Sequence, residues 1–277
     1  MTHPLPALVN GRPDALISPA DRGLAYGDGV FRTLPVIDGK PQVWALHYQK
    51  LSADCSRLSL SCPSATDLLQ DIQHLYADQA SGVAKIIISR GAGSRGYAIN
   101  PEVPSTRIVM RTAMPQYPEH YAETGVQLTL CSLRLAHQPR LAGIKHLNRL
   151  ENVLARMEWQ DPEIFDGILL DQQGFVVEGT MSNILLRFGS RLLTPDLRNC
   201  GVAGVTRDRI IQLASSLGLQ AGIADISLEQ MMQADEIIVC NSLFGAWQAT
   251  QFNGKTWQPQ KLAEQLKYLL QEQHEID

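Results

Sequence analysis

The sequence predicts an α+β protein in two unequal halves, a smaller amino-terminal α/β domain and a larger carboxy-terminal one. Three observations carry that expectation. Short runs with strand-like alternation recur between segments of helical spacing along the chain. The stretch Pro115 to Gly125 holds two prolines among polar residues and divides the pattern into 1–114, a linker at 115–125, and 126–277. At 277 residues, 44% hydrophobic and 19% charged, the chain has a globular composition with room for two cores.

In the first half, Ala7 to Val9 and Val30 to Ile37 read as strands. Asp38-Gly39 supplies the positive φ of a tight turn and predicts a hairpin with Gln42 to Trp44. Leu51, Cys55 and Leu58 share one face of a helix expected over Leu46 to Leu60. A second helix, capped by Ser64 or Thr66, is expected to Gln79, followed by strands at Val83 to Ser89 and Arg107 to Thr112. The second half opens with a strand at Val126 to Ser132 and a helix at Leu147 to Gln160. Strands are expected at Gly167 to Leu170, Phe175 to Glu178, Ile184 to Phe188, Leu192 to Thr194 and Glu236 to Cys240. Helices are expected at Thr206 to Leu217 and Lys261 to Gln273.

A net charge of -4 and a pI near 6.0 give no basic footprint for nucleic acid. The five cysteines (Cys55, Cys62, Cys131, Cys200 and Cys240) are dispersed, without a C-x-x-C pair. They read as reduced thiols, with no metal site. The amino-terminal residues carry neither a basic leader nor an apolar core, and no apolar run is long enough to span a bilayer. The expectation is a cytoplasmic protein with a small-molecule substrate.

Arg90-Gly91-Ala92-Gly93-Ser94-Arg95-Gly96 contains a G-x-G-x-x-G pattern directly after a strand. A dinucleotide site needs a helix to start there. Pro101 and Pro104 forbid one, so the fingerprint fails. What remains is a glycine-rich loop in which Arg90 and Arg95, beside Tyr97, suit a carboxylate; a plain solvated loop is the alternative.

Three further elements bear chemistry. Lys145 stands among apolar and glycine neighbours, which suggests partial burial of an amine. Glu178 ends a strand just before the turn Gly179 to Asn183, where its carboxylate could meet a ring nitrogen or simply solvent. Gly201 to Gly204 lead into a helix whose first residues, Val205 and Thr206, present free amides to an anion. Arg57, on the first long helix, could add a charge to a phosphate or lie on the surface. Each of these signals is individually weak.

Together, in this order, they resemble a known family. The segments Asp28 to Phe31, His47 to Leu51, Arg57-Leu58, Gly143 to Lys145, Glu178 to Asn183 and Gly204 to Arg207 look like those of the fold-type-IV, branched-chain-aminotransferase-like pyridoxal-phosphate enzymes. The resemblance implies a two-domain fold with a mixed, β-barrel-like second domain flanked by helices. It implies Lys145 as the cofactor-bearing lysine, Glu178 as the ring-nitrogen partner, and Arg57 as a phosphate ligand. Asn183, Gly204, Val205, Thr206, Asn241 and Ser242 complete the implied cofactor set. A homodimer with sites near the subunit interface is implied as well.

Within the family, Gly27 to Thr33, Ser89 to Tyr97 and Leu141 to Leu150 are similar to the aminodeoxychorismate lyases. That likeness implies release of 4-aminobenzoate and pyruvate, with Thr33 as a proton donor or positioner. Arg95, Arg90 and Tyr97 are then the substrate contacts. The alternatives are a branched-chain or D-amino-acid aminotransferase of the same fold, and a cofactor-free dimeric binding scaffold. Trp44, Tyr97 and Phe244 are aromatic residues that could line a pocket or pack in the core.

Overall fold

The structure, a computed structural model, describes residues 6–272. Among these, residues 6–115 with 145–148 form one compact unit, and 116–144 with 149–272 form a second.

The first unit is built on a five-stranded antiparallel sheet. Its elements are β1 (Ala7–Val9), α1 (Arg22–Tyr26), β2 (Gly29–Ile37), β3 (Lys40–Pro41), α2 (Trp44–Arg57), α3 (Ala65–Leu75), β4 (Gly82–Ser89) and β5 (Thr106–Thr112). The strand order is β1-β5-β4-β2-β3. Alternation sorts the middle of β2: Val30, Arg32 and Leu34 are buried and Phe31 and Thr33 half-buried, whereas further on Pro35 and Val36 are both buried. Ser64 caps α3, its side chain accepting the Asp67 N–H.

The expected strand at Gln42 to Trp44 does not form. The hairpin closes earlier, at Lys40–Pro41, and Val43 at φ 53° turns the chain into α2 at Trp44.

The expected helix at Leu147 also starts late. Residues Lys145 to Leu147 run extended beside β2, with Phe31 N–H donating to Lys145 O at 2.9 Å and Leu147 N–H donating to Gly29 O at 2.9 Å. Backbone groups spent on a strand cannot open a helix, so the helix begins at Leu150.

The second unit contains α4 (His120–Thr124), β6 (Val126–Leu135), α5 (Leu150–Arg156), β7 (Ile164–Asp171), β8 (Val176–Gly179), β9 (Asn183–Phe188), β10 (Arg191–Pro195) and α6 (Val205–Leu213). A 3₁₀ turn (Ala214–Leu217) follows, then β11 (Gln220–Ala224), α7 (Leu228–Gln233), β12 (Glu236–Asn241), β13 (Gly245–Phe252), β14 (Lys255–Thr256) and α8 (Leu262–Glu272). Its mixed sheet runs β11-β10-β9-β12-β13-β6-β7-β8, with β14 beside β13. Strand β8 therefore lies five places from β9, about 24 Å in a flat sheet. The connection between them, Thr180 to Ser182, reaches about 14 Å at full stretch. The sheet must curl, which gives the barrel-like form.

Alternation feeds two layers of core. Ile184, Leu186, Ile237 and Val239 point inward with Phe165, Phe244 and Trp247. Leu185, Ile238 and Cys240 point to the other face, against Ile210, Leu213, Leu266 and Leu270. Tyr117 and Tyr121 pack on the inner layer. No helix among the described residues is long and apolar enough to cross a membrane.

Candidate active site

The first unit assembles a lysine and its surroundings. Lys145 is fixed by its backbone, its N–H donating to Asp54 Oδ2 at 3.1 Å and its carbonyl accepting from Phe31. Asp54, buried on α2, is itself ion-paired with buried Arg32. The ammonium of Lys145 lies over the Phe31 ring, 4.7 Å from its centroid. Thr33 stands two residues along β2 on the same face as Phe31. Directly across the sheet from Thr33 is Lys85, whose Nζ lies 5.4 Å from the same ring centroid. Sequence reasoning missed Lys85. The signal was a lone lysine in the apolar run Val83 to Ile88, on a strand that is otherwise nearly buried.

Other first-unit residues divide by role. Asp28 accepts from Arg22 Nε at 2.9 Å and from Arg90 at 2.8 and 3.0 Å. Burial pushes its carboxyl up, but the hydrogen bonds and charges of Arg90 and Arg22 outweigh that and hold it below the usual carboxylate range. Arg90 spends two further donors on Ser59 O and Leu58 O, each at 2.8 Å, so its guanidinium closes the end of α2. Arg22 reaches the carbonyls of Gly96 at 2.9 Å and Tyr97 at 3.4 Å. That grip leaves Arg95 and Tyr97 exposed on the loop, with Tyr26 and Tyr97 ring centroids 5.5 Å apart. Arg57 is the exposed last residue of α2, and Trp44 packs against Tyr48.

The second unit gathers the expected cofactor residues around one backbone segment. Val202 N–H donates to buried Glu178 Oε2 at 2.7 Å, and Val202 O accepts from Asn183 Nδ2 at 2.8 Å. Asn183 Oδ1 then takes the Gly204 N–H at 3.1 Å. On the other side, Gly143 pairs with this segment through Gly143 N–H to Gly201 O at 2.8 Å and Ala203 N–H to Gly143 O at 3.0 Å. Helix α6 begins with no side-chain cap at Gly204, and Thr206 Oγ1 lies 3.4 Å from Ser242 Oγ. Asn241 is otherwise employed. Its Oδ1 accepts from Leu243 and Phe244 N–H, and its Nδ2 donates to Met181 O.

Asp166, also missed from the sequence, fastens the turn after Glu178. Its carboxylate accepts from Thr180 Oγ1 and Ser182 Oγ, each at 2.6 Å, and from Gly167 and Thr180 N–H. The hint was an acid inside the apolar strand Ile164 to Leu170. Phe244 is buried and stacks on Trp247, so it serves the core.

These residues fit a phosphate-bearing pyridine. An uncapped helix start with two hydroxyls suits a phosphate. A buried carboxylate with one oxygen committed to a backbone N–H suits a protonated ring nitrogen. The cradle is closely shaped, since a Cβ at Gly204 would meet Asn183 Oδ1 at 2.3 Å.

The family model described as Amino-transferase class IV matches residues 29–252. The chain belongs to that family. A class IV chain of this kind is pyridoxal-phosphate dependent. Aminodeoxychorismate lyase of Vibrio harveyi is 36% identical over 238 residues, 86% of this chain and 88% of that protein. The structure of 4-amino-4-deoxychorismate lyase from Pseudomonas aeruginosa superposes with a TM-score of 0.91 at 43% identity, covering 96% of this chain and 98% of that one. A putative branched-chain-amino-acid aminotransferase of Methanocaldococcus jannaschii is 29% identical over 82% of this chain and 79% of its own length. The class IV fold accounts for both the small antiparallel sheet and the curled mixed sheet.

Proposed function

We propose that this class IV enzyme is a lyase that converts 4-amino-4-deoxychorismate to 4-aminobenzoate and pyruvate. The observation that carries this reading over transamination is the likeness to two such lyases, at 36% and 43% identity over most of the chain. The two compact units serve as its domains. It works in the cytoplasm as a homodimer, supplying 4-aminobenzoate for folate biosynthesis.

Lys145 would supply the amine that bonds the cofactor. Glu178 would pair with the ring nitrogen and keep it protonated. Val205 and Thr206 N–H, with the Thr206 and Ser242 hydroxyls and Arg57, would hold the phosphate, in a cradle that Asn183 and Asn241 shape through the backbone. When bound, pyridoxal phosphate supplies a sink for the charge that develops on the substrate carbon. Lys145 Nζ takes the proton from C4 of the substrate ring. The anchored backbone of Lys145 limits the amine to the sweep of its own side chain, which shortens its search for that proton. Thr33 Oγ1 offers a proton to the departing enolpyruvyl group. Lys85, Arg95 and Tyr97 receive substrate carboxylates, and Arg90 serves the site through Asp28 and the end of α2.

The test offers enzymatically generated aminodeoxychorismate to the purified holoenzyme and assays both products. Equal release of 4-aminobenzoate and pyruvate without an amino acceptor is expected. Conversion of amino acids to keto acids, with no 4-aminobenzoate formed, would make it an aminotransferase. A protein that stays colourless after added cofactor would remove the enzymatic reading.

A further inference from the structure

The end of α2 carries a second chemical grouping that the lyase reaction leaves unused. Tyr48, Ser52 and Cys55 fall at i, i+4 and i+7 along the helix and so share one stripe. After Arg57 the chain reverses. Ser59 takes φ 52°, and the carbonyl of Cys55 accepts from Leu58 N–H at 3.1 Å and Leu60 N–H at 2.8 Å. The returning chain is pinned where the Tyr48 hydroxyl donates to Pro63 O at 3.1 Å. This folds Cys62 back onto the stripe, within hydrogen-bond reach of Cys55, Ser52 and Tyr48. Two thiols seven positions apart in sequence thus meet, one wholly buried and one partly exposed.

The surroundings of the five thiols differ sharply. Burial pushes Cys131, Cys200 and Cys240 up to about 12 each. Cys55 is pushed up too, by its hydrogen bond to Cys62, by burial and by the Asp54 carboxylate. Cys62 alone is lowered. The Cys55 thiol donates to it, outweighing its partial burial, and the Ser52 hydroxyl adds to this. In a coupled pair of this kind the first proton leaves the sulfur that keeps the donors and the solvent. That sulfur is Cys62.

We propose that Cys62 and Cys55 form a reversible oxidation site for a low-molecular-weight disulfide, with Cys62 as the attacking sulfur and Cys55 as the resolving one. The Cys62 thiolate attacks the reagent disulfide, forming a mixed disulfide and releasing one thiolate. Cys55 then gives up its proton and attacks the Cys62 sulfur, releasing the second reagent thiol. Two protein thiols become one disulfide, one reagent disulfide becomes two thiols, and the two protons end on the released sulfurs. The order of events follows from access, because Cys55 is fully buried and only Cys62 can meet a bulky reagent. Closure needs the sulfurs to draw from hydrogen-bond contact to about 2 Å, across a turn already folded for it. The pair neighbours Asp54, the residue that holds the Lys145 N–H.

Two measurements on the holoenzyme test this. Limiting iodoacetamide at pH 7, mapped by tryptic mass spectrometry, is expected to label Cys62 at least ~10-fold faster than any other cysteine, following its thiolate fraction. Uniform labelling, or faster labelling elsewhere, overturns the assignment of the attacking sulfur. Oxidised glutathione is then added, and free thiols are blocked before digestion. Cleavage after Arg57 puts Cys55 on 51–57 and Cys62 on 58–85, so the disulfide is read as those two peptides joined and 2 Da lighter than their sum. Glutathione held on Cys62 with no joined peptide overturns the pair. Cys55→Ser should trap that mixed disulfide. Should that variant fail to fold, the map of the unaltered protein decides alone.

Discussion

Asp28→Asn tests the arginine clamp that holds the loop carrying Arg95 and Tyr97. The carboxylate takes three charge-assisted hydrogen bonds, and the side chains are shielded, with exposures of 16% for Asp28, 8% for Arg22 and 13% for Arg90. Removing one partner of a buried ion pair costs about 3–5 kcal/mol, because the remaining charge is left uncompensated. Here two guanidiniums are left facing each other. Each keeps neutral carbonyl partners, at Leu58 and Ser59 or at Gly96 and Tyr97. The lower end applies, about 3 kcal/mol at pH 7.

The pH dependence has a fixed sign. Asp28 is held below its unfolded value, so its contribution is complete above pH ~4 and decays as pH falls through the lowered value. Urea unfolding of wild type and variant, followed at pH 7 and at pH 3, should show a gap that narrows in acid. In the same variant the KM for aminodeoxychorismate should rise, since Arg22, no longer anchored by Asp28, holds the Gly96 and Tyr97 carbonyls that follow Arg95 less firmly in place. A loss under about 1 kcal/mol at pH 7, or a gap that persists undiminished in acid, would refute the reasoning.

Three other perturbations probe the site itself. Lys145→Ala should lower kcat by more than ~10⁴ while leaving the circular dichroism spectrum intact, since one group serves as both nucleophile and base; retained turnover would remove the assignment. Gly204→Ala drives a methyl to 2.3 Å from Asn183 Oδ1 at an ordinary φ of -71°, so its effect is purely steric. Absorbance titration of the apoenzyme should show cofactor affinity weakened by ~10–100-fold, or about 1.4–2.8 kcal/mol, and an unchanged Kd would detach the phosphate from this helix start. Lys85→Gln should raise the KM for substrate about 10-fold with kcat nearly unchanged, as loss of an anion contact made equally in ground and transition states; a fall in kcat alone would give Lys85 a different task.

Local sequence was a good guide where local forces decide. In β4 the run Ala84, Ile86 and Ile88 is buried while Lys85 and Ile87 are half-buried, β2 alternates likewise from Val30 to Leu34, and Ser64 caps α3 with its own hydroxyl. It failed where distant partners decide. Leu147, Leu150 and Leu154 have helical spacing, but Gly29 and Phe31 capture the backbone of Lys145 to Leu147 first. Strand β13, Gly-Ala-Trp-Gln-Ala-Thr-Gln-Phe, mixes small and polar residues, and its place between β12 and β6 makes it a strand. The site shows the same division. Gly204 to Thr206 announce a helix start within a few residues, and the structure begins α6 at Val205 with no side-chain cap. Arg90 in a glycine loop looks free to bind substrate, and its true partners, Asp28, Leu58 and Ser59, lie 62, 32 and 31 residues away.

Gly143 is hydrogen-bonded to the 201–203 segment within the second unit, and Lys145 to Leu147 are hydrogen-bonded to β2 within the first. The main chain on each side of the amine is thereby committed, which leaves side-chain rotation as the freedom that remains to Lys145. A long flexible side chain on a fixed backbone can exchange one bonding partner for another and still return to a single position. In the proposed reaction, a fixed carrier backbone would lower the entropy cost of bringing the amine to the proton it takes. The apolar and glycine residues before Lys145 serve that end, since Gly143 takes φ 79° to reach Val202 and Ile144 is fully buried beside it. The local sequence carries the backbone geometry around Lys145, and the family resemblance is what singles the lysine out.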